Sequence, residues 1–446
     1  MYCANDAALL LGSRLTLSNN TAIRGGNVYN NSEKSLVIDG AVITGGSAEN
    51  YGGGVYCAHG SITLKGDAVV RDNTQGNLYV PAQIPLDTTA LTQDSQVYLY
   101  NMSAMTLNGS NYLKLERNDY KIVTFGGQTV VIPKSFTIPT DVEGFQVGYG
   151  RSDITPTETG LPLAGYGNAA SRLSTTTAVN VYDELKVSCV AITDEQGQTV
   201  LLMSVDLIRP GADLMDTIFP AITAATGVPE SHIFTTFTHT HSVPETNQIN
   251  NSKIQRYNAM LPDRFAQAAN LAMNDRQPST MQTGSFEVEG LNFTRHYTYQ
   301  ENGETKYAGD NFGVVPTDNS TLKHVTEADH TMHMVRFVRA GTDILMANWR
   351  VHPHMTGGGT KTYVSADIIG TTRYYFEREM ALMANITGKE EYRMHFMYLQ
   401  GAAGNINETS KIKSEQHGLN YERAISGIHQ GNLSWKSGWF FKKCND

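Results

Sequence analysis

Cysteine is scarce in this 446-residue sequence: there are four, Cys3, Cys57, Cys189 and Cys444, and no two are spaced as a CxxC or a knuckle. That excludes a zinc ribbon or a disulfide-dense scaffold as the source of the fold. Long apolar runs are also missing, since none approaches the roughly 18 residues that a helical membrane span requires. The opening residues, Met1-Tyr2-Cys3-Ala4-Asn5-Asp6, lack the basic start and apolar core of a signal peptide. Positive charge is in deficit, with 34 Lys and Arg against 43 Asp and Glu and a net charge of -9, which argues against an electrostatic grip on nucleic acid. What is present is globular matter, 40% hydrophobic and 17% charged, which rules out disorder, collagen and a coiled coil.

Histidine is distributed unevenly. Of the 13 in the chain, only His59 falls in residues 1–140, so whatever titrates or binds metal sits in the later part. The earlier part is repetitive: Gly26-Asn27-Val28-Tyr29, Gly53-Gly54-Val55-Tyr56 and Gly76-Asn77-Leu78-Tyr79 recur at offsets of 27 and 23 residues. Between them run short alternating segments such as Ser35 to Gly40 and Ser61 to Gly66. Short strands separated by Gly, Asn and Asp at such a period are what a β-solenoid needs, because each coil must turn tightly and stack its small apolar row on the next. The pattern resembles the right-handed parallel β-helices of bacterial surface proteins, with a more degenerate extension to about residue 130. Such a segment serves either as a carbohydrate-binding or adhesive stalk or as a spacer without a ligand. The start enters the repeat at once, so the expectation is that the true N-terminus, and any export signal, lies outside this chain. A proline-punctuated stretch, Ile132 to Asp141, reads as a linker.

Beyond it the period changes. Thr199 to Val205 suits a buried strand ending at Asp206, Leu214, Ile218 and Ile222 are at helical spacing within 212–226, and His232 to Phe237 reads as the next strand, a βαβ unit. An amphipathic helix follows near 254–273. Thr331 to Val338 and Asp343 to Val351 look like a hairpin, then come a helix over about 366–384 and a strand from Met394 to Leu399. Asp206, His239 and His241, His352 and His354, and the Gly401 to Asn407 loop each lie just past the carboxyl end of a predicted strand. In open α/β sheets ligands sit at that edge, so four strand ends point to one site.

His239 and His241, one residue apart in an extended segment, project to the same face. With His352 they offer imidazoles, the commonest neutral ligands of zinc. Too few protein ligands to close the shell leave a position for water, whose pKa zinc lowers to roughly 7 while polarising a carbonyl, the apparatus for hydrolysing an amide or ester. His330 and His333 are expected to pack or face solvent, and His395, inside an apolar strand, to be a core histidine.

From about residue 146 the sequence resembles the catalytic domain of the neutral/alkaline non-lysosomal ceramidase family. Seven ordered blocks carry the resemblance: Val147 to Pro156, Leu163-Ala164-Gly165-Tyr166-Gly167, Met203 to Leu207, Thr238-His239-Thr240-His241-Ser242-Val243-Pro244, Val351-His352-Pro353, Ser365-Ala366-Asp367, and Gln400 to Asn407. It implies a zinc-dependent amidohydrolase that cleaves the N-acyl bond of ceramide-like lipids. Carried onto matching positions, it makes His239 and His352 metal ligands, has His241 contact the reacting group or help stabilise its developing charge, and makes Asp206 an orienting carboxylate. His354, Gly401, Gly404 and Asn405 are candidates to line the site; the family commonly has another residue at the position of His354, which leaves its role open. The sequence departs from the family in three places. Gly-Ala-Ala-Gly-Asn replaces a block with serine and aspartate, so a serine-assisted mechanism has no residue to use. Val243-Pro244-Glu245 replaces Gly-Pro-Gly. The family's further Glu and Tyr ligands lie beyond this block, where only 39 residues follow Asn407; Glu408, Glu415, Tyr421 and Glu422 are available.

The resulting expectation is a multidomain chain: an all-β parallel β-helix over 1–130, a linker over 131–145, and an α/β ceramidase-like hydrolase domain over 146–446, shortened at its C-terminal end. Its cofactor is zinc and its substrate a lipid or small N-acyl or ester compound, with peripheral contact to a membrane surface. It is bacterial, and secreted or held at the cell surface. The alternative is a surface adhesive or glycan-binding protein with an inactive hydrolase domain.

Overall fold

A computed structural model of the chain describes residues 1–109, 112–167, 169–175, 183–288, 291–309, 312–316, 318–354 and 362–408. Strands dominate it, with three α-helices among the described residues: α1 (Ala212–Thr226), α2 (Ser252–Asn274) and α3 (Asp367–Thr387). Two compact units are present. The first comprises Met1–Thr140, Gly211–Ile233 and Asn258–Asn274, and the second Asp141–Pro210, Phe234–Tyr257 and Asp275 onward.

In the first unit the repeat becomes rows of parallel strands. Leu9–Gly12, Ser35–Asp39, Ser61–Gly66 and Leu86–Leu91 form one sheet, and the segments after each turn line up in further rows. Leu36 pairs with Ile62 and Val28 with Val55, so one period of the repeat is 26 or 27 residues. Alternation decides which side chains go in: Leu36, Ile38, Ile62 and Leu64 are fully buried while their neighbours face outward. The turns bury backbone polar groups, and asparagines satisfy them. The Asn73 side chain accepts from the Gly46 N–H at 2.8 Å and donates to the Arg71 carbonyl at 2.8 Å and the Ile43 carbonyl at 3.2 Å. On the outside, the in-register tyrosines Tyr2, Tyr29, Tyr56 and Tyr79 stack with ring centroids 5.4, 5.3 and 4.8 Å apart.

The unit ends in an antiparallel sheet of Met105–Leu107, Tyr120–Phe125 and Gln128–Pro133, whose last strand runs three residues into the stretch read as linker. Val130, Ile132 and Phe136 pack there against Ala221, Ala224 and Ala225 of α1 and Ala266 of α2. The sequence reading assigned those helices to the hydrolase segment. Their alanine-rich faces instead close the core of the first unit.

The second unit is built on an eight-stranded sheet: β1 (Gln146–Asp153), β2 (Lys186–Thr193), β3 (Thr199–Val205), β4 (Ile233–Phe237), β5 (Gln277–Glu287), β6 (Thr331–Arg339), β7 (Asp343–Trp349) and β8 (Met394–Gln400). Their spatial order is β4-β3-β2-β1-β5-β6-β7-β8. Short turns join β2 to β3 and β6 to β7 and make those pairs antiparallel; β1/β2 and β5/β6, joined by long segments, are antiparallel too, whereas β7 and β8, joined through α3, are parallel. The sheet is thus mixed, with the predicted hairpin at β6 and β7 inside it. It also curls: the Ser204 hydroxyl on β3 donates to the Tyr398 carbonyl on β8 at 2.5 Å. Alternate residues serve two cores. Ile344, Met346 and Met397 face Val147, Tyr149 and Phe337 on one side, while Leu345, Ala347, Phe396 and Tyr398 face Ile369, Phe376 and Met380 of α3 on the other.

Candidate metal centre

Curling the sheet brings the carboxyl ends of β3, β4, β7 and β8 together, and the segments that leave them are stitched to one another. The Thr238 N–H donates to Val205 and the His239 N–H to Leu207, at 2.9 and 3.0 Å. The His241 N–H donates to Pro353 at 3.0 Å, the His352 N–H to Ile406 at 3.0 Å, and the Ala164 N–H to Val243 at 2.9 Å. His239 is held at φ 64, a conformation disfavoured for a residue with a Cβ and tolerated where surrounding bonds fix it.

This backbone aims three imidazoles at one point. His239, His241 and His352 each offer a ring nitrogen, and those atoms all lie within 4.8 Å of one another. The Nε2 atoms of His241 and His352 are 2.8 Å apart, and the ring centroids of His239 lie 5.3 and 4.8 Å from those of His241 and His352. His352 Nδ1 is 3.2 Å from the Ala403 carbonyl, so Nδ1 carries the proton and Nε2 keeps its lone pair. His239 is likewise bonded to the backbone of Ile208. His241 Nδ1 is buried without a hydrogen-bond partner among the described residues, so no bond there selects a tautomer and Nε2, which faces the point, can present either a lone pair or a proton.

Burial, and then the neighbouring imidazoles and guanidinium groups, depresses all three rings, His241 to about 2 and His352 to about 4. They are therefore neutral at physiological pH, as metal ligation requires. Three converging neutral nitrogens, with no thiolate and no cage of oxygens, suit zinc or a similar borderline cation rather than calcium or magnesium.

The other residues singled out in the sequence fall around this trio. The His354 ring lies 5.8 and 5.4 Å from those of His241 and His352, and its Nδ1 is 2.5 Å from Oε1 of Glu408. Glu408 is 4% exposed, and burial raises its carboxyl above the usual range. Asp206 is buried, but its carboxylate accepts from the Lys186 N–H at 2.8 Å and from Arg373 at 2.7 Å, bonds that anchor the end of β3. The Gly401 N–H donates to Trp349 at 2.7 Å, and the Gly404 and Asn405 carbonyls accept from Arg295 at 2.6 and 2.9 Å, so this loop contributes backbone. Glu415, Tyr421, Glu422 and Cys444 lie outside the described residues, while Cys3, Cys57 and Cys189 are buried free thiols. His395 stacks on Tyr149 with centroids 4.3 Å apart, and His333 faces outward from β6.

Sequence reasoning missed three supports. Arg172, 3% exposed, donates to the His241 and Ala164 carbonyls, each at 2.7 Å, and lies over the Tyr166 ring. Tyr166 sets its ring edge-on to His241 with centroids 5.0 Å apart. Asp183 accepts from the Ala366 N–H and the Ser365 hydroxyl, each at 2.5 Å. Nothing in the local sequence around Arg172 or Asp183 marks such a role, and Tyr166 stands in the Leu163 to Gly167 block with no role read for it.

Burial raises Asp183 to about 7. Between its ordinary value near 3.8 and about 7 the folded chain holds a proton there that the unfolded chain has released, so this residue's contribution to stability falls as pH rises across that window. Asp183→Asn is therefore expected to gain stability relative to the parent protein as pH rises from about 4 to about 7. Urea titrations of both proteins across that range check it, and parallel curves would refute the buried-acid account.

No protein-family model matches the chain, and no curated protein matches it. Among solved structures, it is similar to a ceramidase complexed with C2, at 17% identity and a TM-score of 0.45, covering 62% of this chain and 42% of that one. It is similar also to the neutral ceramidase from Pseudomonas aeruginosa, at 17% identity and a TM-score of 0.45, covering 63% of this chain and 44% of that one. The chain spans less than half the length of either structure.

Proposed function

We propose that this chain carries a zinc-dependent hydrolase site of the neutral ceramidase type, which cleaves the N-acyl amide of ceramide or a related N-acyl or ester substrate. The observation that carries the reading is the neutral trio His239, His241 and His352 with nitrogens within 4.8 Å. A second observation supports it: blocks widely separated in sequence, around Gly165, Asp206, His239, His352, Ser365 and Gly401, are hydrogen-bonded into one place. When bound, zinc supplies Lewis acidity that polarises an acyl carbonyl and acidifies a water.

His239 and His352 hold the cation through lone pairs fixed by their bonds to Ile208 and Ala403. His241 faces the same point and either completes the ligand set or donates to the oxygen on which charge develops. Asp206, tied to Arg373, keeps the end of β3 in place for the backbone of Thr238 and His239. The parallel rows of the first unit support reading residues 1–130 as a β-helix that presents a hydrolase segment beginning near residue 146, on a secreted or surface-held protein. Among the described residues no helix is long and apolar enough to cross a membrane.

Metal analysis of the purified protein should find about one zinc per chain, as one cluster of three histidines among the described residues predicts. His239→Ala and His352→Ala should each reduce it to background, and a short-chain fluorescent ceramide should be hydrolysed by the parent protein alone. A parent protein without zinc, unchanged by either substitution, would leave the adhesive alternative. Zinc without turnover of ceramide would move the substrate to another amide or ester.

A further inference from the structure

We propose that Asp183 is a positioning residue for the loop that carries His239 and His241, acting through Ser365; this rests on the metal reading above. Its carboxylate spans two groups at the start of α3, taking the Ala366 N–H on Oδ1 and the Ser365 hydroxyl on Oδ2, each at 2.5 Å. Ser365 Oγ also accepts the Asp367 N–H at 2.9 Å, so its own proton is committed to Asp183 and the hydroxyl has one orientation.

The peptide fixed in this way grips the histidine loop at two points. The Ser365 N–H donates to the Ser242 carbonyl, and the Ser365 carbonyl accepts the Thr240 hydroxyl, both at 2.9 Å. Thr240 and Ser242 flank His241 and are fully buried, so displacing Ser365 displaces the backbone from which the imidazole projects. The fit around the carboxylate is close: a Cβ on Gly370, in the first turn of α3, would stand 2.6 Å from Asp183 Oδ1. Asp183 touches none of the three imidazoles in any described contact. It serves as outer support for the ligand set, and such groups typically alter metal affinity by about 10–100-fold.

Three variants of the full chain test this. Asp183→Ala removes both acceptors, Asp183→Asn keeps an acceptor for Ala366 and a polar partner for Ser365, and Asp275→Ala cuts the Asp275 bonds to Arg339 and the Tyr149 N–H elsewhere in the same unit. Zinc affinity is read by chelator competition, and hydrogen exchange of the peptide spanning residues 238–242 is read in metal-free protein. Asp183→Ala is expected to weaken zinc by about tenfold or more and to speed exchange of that peptide. Asp183→Asn should stay within about threefold of the parent, and Asp275→Ala should lower the melting temperature with affinity unchanged. Unaltered affinity and exchange in Asp183→Ala would overturn the proposal, as would an equal loss in Asp275→Ala. A parent protein that binds no zinc would instead overturn the metal reading, while the exchange measurement still decides whether Asp183 orders the loop.

Discussion

Gly165→Ala is expected to weaken zinc binding by about 100-fold and to destabilise the second unit, because the added methyl and the His241 imidazole need the same space. Gly165 sits at φ 115, where side chains other than glycine are strained, and a Cβ there would stand 2.5 Å from His241 Cγ and 2.7 Å from His241 Nδ1. The ring has little freedom to yield. Its backbone is held on both sides, the carbonyl by Arg172 at 2.7 Å and the N–H by Pro353 at 3.0 Å, and the Tyr166 ring closes another approach. Gly167→Ala is the matched comparison, since that glycine also has positive φ, at 71°, but no atom of the described residues lies within 4 Å of its Cβ position. Strain alone costs about 1–3 kcal/mol in either variant. Chelator competition and urea unfolding on both separate the two effects: equal zinc affinity in the two alanine variants would show that Gly165 is needed for its backbone angle and not to make room for His241.

Asp343→Ala is expected to lower the unfolding free energy by about 3–5 kcal/mol, the cost of stranding a buried charge. Asp343 is 2% exposed and accepts from Arg336 Nε at 2.9 Å, from Arg336 Nη2 at 2.6 Å and from the Arg339 N–H at 3.0 Å. Arg336 is 5% exposed and would keep its charge with its main acceptor gone. The effect is read as a shift in the urea midpoint with an unchanged slope. The pair lies at the turn between β6 and β7, at the start of the strand whose far end leads to His352. Zinc stoichiometry measured well below the unfolding midpoint should therefore be retained, which marks the loss as one of stability rather than of the site.

Local periodicity made some elements readable. Leu214, Ile218 and Ile222, bounded by Gly211 and Gly227, give α1 the limits read from the sequence, and the apolar run Thr199 to Val205 is β3 without alteration. The histidines were legible for a topological reason, because each follows a strand, and strands that share a sheet bring their ends together. Arg172 and Asp183 were not legible, since what defines them is the carbonyl or hydroxyl they meet, and those partners lie many residues away; Glu408 was named as available, but its meeting with His354 was not. Asp206 was noticed for its place after a strand, yet its partners Lys186 and Arg373 tie it to the sheet and to α3. β5 was missed because its residues, Gln277 to Glu287, alternate too weakly, with most of them exposed. The hairpin at Ala340 to Thr342 was legible from its two apolar runs, whereas the antiparallel return at Asp194 to Gln198 was not, because the strand before it was not read.

The allocation of α1 and most of α2 to the first unit has a bearing on how the protein is made. Alanines at 221, 224, 225 and 266 complete the core that Val130, Ile132 and Phe136 begin, so a ribosome must pass those codons before the first unit can close. At about 5–20 residues per second, the interval between residues 136 and 266 lasts several seconds or more, during which the earlier coils can stack on their neighbours but their last sheet stays uncovered. By then the strands that lead to His239 have also emerged, while β5 to β8 are still to be made, so the first unit can close when the second has only half of its sheet.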